Sequence, residues 1–303
     1  MSLHVFGAIV TGLGTAAKNR GETEGNVTTL QKIVWNGQEH TTVSAEAIRF
    51  ALRRRLVEVE PTNRTYDETT RANKWADEDF DRWGPKAKAK PFIDDDLLGF
   101  MSAEAAQEEG GKGTVTARRA ILEITRAVSL TPWPGDVTFN AASPGATPSA
   151  QKKGMNPVPY VTEMHATRYQ YGFAMTPGRL FVDKAARAAA ALRGLCALGE
   201  VAGNHGRFLF DFSPESIIFR FTQEAAPRIL YAFAEQDGGV GVGDLLRKVR
   251  AGDIKAGELV IGGGIVEVLT EKERQPLEGA RLFPGVLAAC EAACERIATE
   301  VTG

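Results

Sequence analysis

Three consecutive carboxylates, Asp94, Asp95 and Asp96, stand inside an apolar frame in 92-FIDDDLLGFM-101. Carboxylates are the ligands of hard divalent cations, so the triplet first suggests a metal-dependent centre. Consecutive side chains do not point the same way on a strand or a helix, so a metal would need ligands from elsewhere. A turn or an ion pair between subunits is the plainer reading. A second motif is Gly12-x-Gly14-x-x-Ala17, which follows the apolar run 3-LHVFGAIV-10 and has the spelling of a dinucleotide-binding turn. Such a turn needs a helix directly behind it, because the helix N-terminus holds the pyrophosphate. The residues that follow, 17-AKNRGETEGNVT-28, carry more glycines and no apolar stripe. The sequence therefore predicts an extended polar loop leaving a sheet edge. Lys18, Asn19 and Arg20 lie in it, suited to a phosphate backbone.

Three other motifs have plainer readings. Asn204, His205 and Arg207 precede an apolar run. No nucleophile or second histidine shares a short motif with His205, which argues against a catalytic base. A backbone or phosphate hydrogen bond from this loop is one reading, and a satisfied structural histidine is the other. Cys290 and Cys294 share a helix face but have no nearby histidine, so they read as core rather than zinc ligands. In 262-GGG-264 no Lys-Ser/Thr pair follows, so the glycines mark a bulge or a close approach of another backbone, such as a neighbouring copy.

Charge limits what the chain can bind. The 36 basic and 38 acidic residues leave a net charge of −2, so bulk positive charge does not attract a polyanion. Local clusters can, and they occur at 18-KNR-20, 49-RFALRRR-55, 86-KAKAK-90, 118-RR-119, 152-KK-153 and 247-RKVR-250. Acidic residues cluster separately, which predicts one positive and one negative face. No apolar run approaches a membrane span, and three cysteines are too few for a disulfide framework, so a cytoplasmic protein without membrane contact is expected.

The elements that must position these residues are mixed in order. Residues 3–11 read as a buried strand and 27–43 as a hairpin turning at Asn36-Gly37. Residues 44–59 form the clearest helix of the first half, with Ser44 as N-cap and Ile48, Leu52 and Leu56 as its buried stripe. Arg49 and Arg53 lie four apart on a neighbouring stripe. Residues 61–91 are a polar excursion with a possible helix around 66–83, and 118–130 reads as one long strand. The Pro- and Gly-rich stretch 132–161 encodes no regular structure. Strands follow near 162–175, 207–212, 216–221, 228–233 and 258–268, with helices at about 183–198, 243–251 and 284–299. This order suits an α+β sheet with helices on one face in a single domain.

Four stretches in this order, 22-ETEGNVTTLQKI-33, 42-TVSAEAIRFALRRRL-56, 94-DDDLLGFM-101 and 202-AGNHGRFLFDFSPESIIFR-220, resemble the DevR-type branch of the Cas-seven family. These are backbone subunits of type I, I-B-like CRISPR surveillance complexes (Cascade). The resemblance implies an RRM-like palm on a ferredoxin-like βαββαβ core. It implies a finger- or web-like insertion at about 61–115 and a thumb at about 132–161. It further implies a non-catalytic protein that polymerises along the CRISPR guide RNA beside other Cascade subunits and presents the guide to a target DNA strand. Arg49, Arg53 and Ser44 would hold RNA from the palm helix, and Lys152, Lys153 and Met155 from the thumb, with Met155 as a wedge. Phe139 carries the same two readings as Met155, base contact or spacer. No cofactor is implied. Backbone subunits of the related type III complexes cut RNA with one acidic loop residue. The alternative is therefore a metal-dependent ribonuclease acting through Asp94–Asp96.

Overall fold

The computed structural model describes residues 2–17, 23–25, 27–83, 87–103, 115–142, 158–201 and 209–301. Its centre is the strand His4–Thr11, whose alternate residues face two different cores. Val5 and Ile9 pack into one cluster, and Phe6, Ala8 and Val10 into the other. A strand buried on both faces needs an apolar run rather than alternation, and HVFGAIVT supplies one.

This strand lies between Tyr169–Met175 and Pro214–Thr222, antiparallel to both. From one edge to the other the sheet runs Arg281–Phe283, Leu259–Gly263, Pro214–Thr222, His4–Thr11, Tyr169–Met175, Ala127–Ser129, Gln38–Val43 and Lys32–Trp35. Leu122–Ile124 also pairs with Tyr169–Met175. One face is covered by helix α1 (Ala45–Leu56), helix α2 (Ile93–Leu98), helix α3 (Lys184–Cys196) and the C-terminal helix Val286–Val301. The other face meets the helix Gly243–Arg250 through Leu245 and Leu246.

α1 forms as its sequence dictates. The Ser44 hydroxyl accepts from the Ala47 amide at 3.2 Å, which satisfies one of the first-turn donors. Ile48, Leu52 and Leu56 are fully buried beneath it. The hairpin before α1 turns at Asn36 and Gly37, with φ of 50° and 80°. Gly12 follows the end of the first strand, and Gly14–Ala17 pairs with Val158–Thr167 instead of opening a helix. The dinucleotide-binding geometry is absent there.

Several expected elements differ. The excursion holds a β-hairpin, Arg64–Asp67 with Ala72–Trp75, where a helix was expected. The Asp67 carboxylate accepts from the Thr69 and Thr70 amides and fixes a turn that a helix cannot contain. The 118–130 stretch breaks into Val115–Arg118, Leu122–Ile124 and Ala127–Ser129. Within 132–161, the strand Val137–Ala142 pairs with Val158–Thr167, so regular structure occurs where none was expected. Phe210 and Phe212 are buried without joining a strand, and 228–233 forms turns. The glycines at 262–263 do mark a close approach, but within this chain. A Cβ on Gly263 would lie 2.1 Å from the Glu215 carbonyl oxygen, and one on Gly262 2.3 Å from the Ala289 Cβ.

Candidate nucleic-acid interface

The acidic triplet is the hub of the site, joined to four arginine, amide or backbone partners around it. α2 ends at Gly99, whose φ is 67°. A Cβ there would come within 2.3 Å of the Arg118 carbonyl oxygen, so the tight turn at that position requires glycine. All three carboxylates are buried, and helical geometry sends them to three different sets of donors. Asp94 accepts from the Asn63 and Arg64 amides at 2.7 and 3.1 Å. Its Oδ2 also lies 3.4 Å from Arg53 Nε. Asp96 accepts from Arg118 at 2.6 Å, from Arg187 at 2.8 Å and from the Phe181 amide at 3.0 Å. Asp95 takes the Asn63 side-chain amide at 3.0 Å. Burial, reinforced by the charge of Asp94, raises its pKa to about 7. Three carboxylates aimed apart, with Asp94 and Asp96 each holding several donors, do not converge on one cation.

Beside this hub lies a cleft of about 720 Å³ between α1, the 64–75 hairpin and the paired strands Phe100–Ala103 and Val115–Arg118. Five arginines line it: Arg49, Arg53, Arg64, Arg118 and Arg119. Phe50, Trp75 and Phe100 interleave with them, and Met101 is 74% exposed at the edge. Arg49 donates to the Leu98 carbonyl through one terminal nitrogen, while among the described residues its buried Nε has no acceptor. Arg64 donates through Nε to Asn73 Oδ1 at 3.1 Å and lies over the Trp75 ring. Arg118 spans from Asp96 to the Trp83 ring. Arg119 reaches into solvent beside Glu123. Burial depresses the pKa of Arg49 and Arg53, and the guanidinium of Arg64 adds to the depression of both. Guanidiniums held together with donors to spare, beside aromatic rings, are suited to phosphates and bases.

Of the residues singled out in the sequence, Arg49 and Arg53 line this cleft and Ser44 caps the helix that carries them. Arg53 is also tied to Asp94, a partner the sequence did not offer. Lys18, Asn19, Arg20, Lys152, Lys153, Met155, Asn204, His205 and Arg207 lie outside the described residues. Phe139 is 74% exposed on the Val137–Ala142 strand. Sequence reasoning missed Arg64 and Trp75, which sit in the unassigned polar excursion. It saw 118-RR-119 as a basic cluster without linking it to α1. The lone signal was arginine within reach of aromatics, and the contacts that tie α1 and Arg118 to α2 lie 49 and 22 residues apart in sequence.

At the base of the outer hairpin a buried polar network joins it to the central sheet. Thr41 Oγ1 lies 2.7 Å from both His165 Nδ1 and the Tyr169 hydroxyl. Burial, aided by the charge of His40, lowers the His165 pKa to about 4 and keeps it neutral. Glu163 accepts from the Leu30 amide and from Lys32, whose ammonium lies 3.8 Å above the Trp133 ring. Among the described residues, Cys290, Glu291 and Cys294 offer potential metal-ligand atoms within 4.8 Å of one another. Glu291 is taken by Arg193 at 2.6 and 2.8 Å. Thiol contacts, from Cys196 to Cys290 and from Cys290 to Cys294, combine with burial to push both thiol pKa values up. Thiols held protonated are poor zinc ligands.

The family described as CRISPR-associated negative auto-regulator DevR/Csa2 matches residues 12–229. A protein of Myxococcus xanthus (strain DK1622), named CRISPR-associated protein Cas7/Cst2/DevR, is 70% identical over 299 residues, covering 98% of each chain. Two solved structures are similar in fold. A chain from a CRISPR RNA-guided surveillance complex matches 97% of this chain and 99% of its own, with a TM-score of 0.59 at 16% identity. A chain from a surveillance complex in a pre-nicking state matches 97% and 100%, with a TM-score of 0.61 at 12% identity.

Proposed function

Because the chain belongs to the DevR/Csa2 family of CRISPR-associated proteins, we propose that it is a non-catalytic backbone subunit of a type I Cascade. Copies of it polymerise along the guide RNA and present the guide for pairing with a target DNA strand. The observation that carries this reading is the arginine-lined cleft beside α1, in a chain whose net charge is −2. The cleft's five arginines outnumber its three acids, Glu46, Asp95 and Glu123, against the overall charge of the chain, which suits a local polyanion site. Sequence recognition then rests on base pairing, and the protein reads backbone and shape.

The strand order supports a palm of the expected kind. Pro214–Thr222, His4–Thr11, Tyr169–Met175 and Leu122–Ile124 lie side by side, each antiparallel to its neighbour. Taken in chain order with α1 and α3, they follow βαββαβ, with spatial order four-one-three-two. That order supports the ferredoxin-like reading of the palm. The hairpin Val137–Ala142 with Val158–Thr167 is the thumb in this reading. The finger-like insertion, about 61–115, contains the Arg64–Trp75 hairpin in this reading. Lys18, Asn19, Arg20, Asn204, His205 and Arg207 are proposed as further guide contacts, and Lys152, Lys153 and Met155 as contacts at the thumb tip. A cytoplasmic site of action follows from the role. Among the described residues no helix is long and apolar enough to cross a membrane.

The ribonuclease alternative is disfavoured by the hub geometry, since Asp94 and Asp96 are committed to Arg53, Arg118, Arg187 and backbone amides. The test is RNA binding by the full chain, measured by fluorescence anisotropy across a salt series with magnesium present. The reading predicts binding that weakens with salt, is alike for unrelated sequences and leaves the RNA intact. Magnesium-dependent cleavage that Asp95→Ala abolishes would replace it with the ribonuclease.

A further inference from the structure

Of the three acids that line the cleft, Glu46 and Glu123 are exposed, while Asp95 is 3% exposed. Asp95 is also the one that the arginines pass over. Asp94 lies beside Arg53, Asp96 takes Arg118 and Arg187, and Glu123 takes Arg119. Among the described residues Asp95 has no ion pair. It accepts from the Asn63 side-chain amide at 3.0 Å.

Charged groups face Asp95 from every element around it. α2 itself brings Asp94 and Asp96. α1 brings Arg49 and Arg53, with Glu46 at the opening. The polar excursion brings Arg64 and Asp77, and the strand Val115–Arg118 leads to Arg118, Arg119 and Glu123. From α3, Arg187 is taken by Asp96 and Glu60. The balance falls against ionisation. Burial, reinforced by the charges of Asp94 and Asp77, raises the Asp95 pKa to about 7 against the pull of Asn63 and Trp83. Near neutrality the cleft therefore exists in two charge states, which differ by one negative charge on a wall that a polyanion must approach. A bound phosphate is a like charge in the same recess, and like charges disfavour ionisation of the acid. An ionised Asp95 also competes with phosphate for Arg49, whose buried Nε has no acceptor among the described residues. Phosphate and proton then favour each other, and the coupling is equal in both directions.

We infer that RNA enters this cleft with the uptake of one proton, and that Asp95 carries that proton. The inference rests on the RNA-binding reading and adds the regulation of that site. The bound state holds more protons than the free state, so affinity is greatest below pH 7 and falls as pH rises through about 7. The arginines keep their charge throughout this range, so Asp95 sets how strongly the cleft attracts a polyanion.

The test is calorimetric titration of the full chain with a short oligouridylate, whose bases and phosphodiesters keep one charge state between about pH 6 and about pH 8. Each titration is repeated in two buffers of different ionisation enthalpy, and the difference counts the protons taken up. Asp95→Asn keeps the shape of the side chain and stays uncharged, and Asp95→Ala gives a second uncharged comparison. Histidines titrate in the same range, so the quantity read is wild type against these variants. Wild-type affinity is expected to be roughly ten-fold weaker at about pH 8 than at about pH 6, the change that a one-unit displacement of the pKa produces. Proton uptake accompanies wild-type binding near neutrality and is lost in both variants, and Asp95→Asn binds at about pH 8 as tightly as wild type does at about pH 6. A wild-type affinity that is constant or rises with pH, or the same pH dependence and proton count in the variants, would overturn the inference and leave the RNA-binding reading in place. Wild-type protein that binds no RNA at any of these pH values overturns that reading itself.

Discussion

Asp96 joins more of this molecule than any other carboxylate of the triplet. It lies between Arg118 and the almost wholly buried Arg187, and it also takes the Phe181 amide. Removing one member of a buried ion pair leaves the other charge uncompensated, which costs about 3–5 kcal/mol. Asp96→Ala is therefore expected to destabilise the fold by that order, read as a lowered urea midpoint. Asp95 behaves in the opposite sense. Its folded pKa of about 7 stands above the ordinary value of about 4, so the folded state binds the extra proton between those limits. Stability from this group is present below about pH 4 and is lost as pH rises through about 7. His165 acts oppositely in the same window: its lowered pKa means that stability is lost as pH falls from about 6.5 toward 4. Urea titrations at several pH values should show Asp95→Asn gaining on wild type as pH rises from 4 to 7, with the His165 component unchanged. An identical pH dependence in both proteins would contradict the buried-acid account. At the cleft, Arg49→Ala and Arg64→Ala should each weaken RNA binding alike for all sequences and reduce the salt slope by about 1. A loss confined to one sequence would mean base readout instead.

α1 is the element on which the site is built, and it was legible in the sequence. A serine cap, an i, i+4, i+8 apolar stripe and a flanking arginine stripe are local signals, and each took its expected position. Ser44→Ala should cost about 1 kcal/mol, measured by thermal or urea unfolding. No change would mean that the cap bond to Ala47 contributes nothing. The other walls of the cleft were not legible, for identifiable reasons. α2 has six residues, too few for a helical period to show, and its acids are buried because their donors come from residues 53, 63–64, 118, 181 and 187. The Arg64–Trp75 hairpin was masked by its polarity: it is exposed along most of its length and held by Asp67 in its turn rather than by an apolar pattern. The thumb-side hairpin was masked by proline and glycine between its arms, while the arms themselves pair over six residue pairs.

At the scale of the whole molecule, a sheet buried on both faces at its central strand makes a rigid support. The cleft sits to one side of it, where α1, α2 and two hairpins converge. The strong negative-face and positive-face segregation seen in the sequence resolves into something more local, because much of the acidic 94–96 cluster is spent inside, neutralising arginines. Two of those arginines, Arg53 and Arg118, belong to the cleft, so among the described residues Arg49 and Arg64 are its arginines without an ion pair. The most direct test of the account is the mass and nucleic-acid content of particles isolated when this 32.7 kDa chain is expressed with a CRISPR array and its neighbouring subunits. The account predicts particles containing several copies of the chain, with bound RNA of repeat–spacer type. A nucleic-acid-free monomer recovered under those conditions would contradict it.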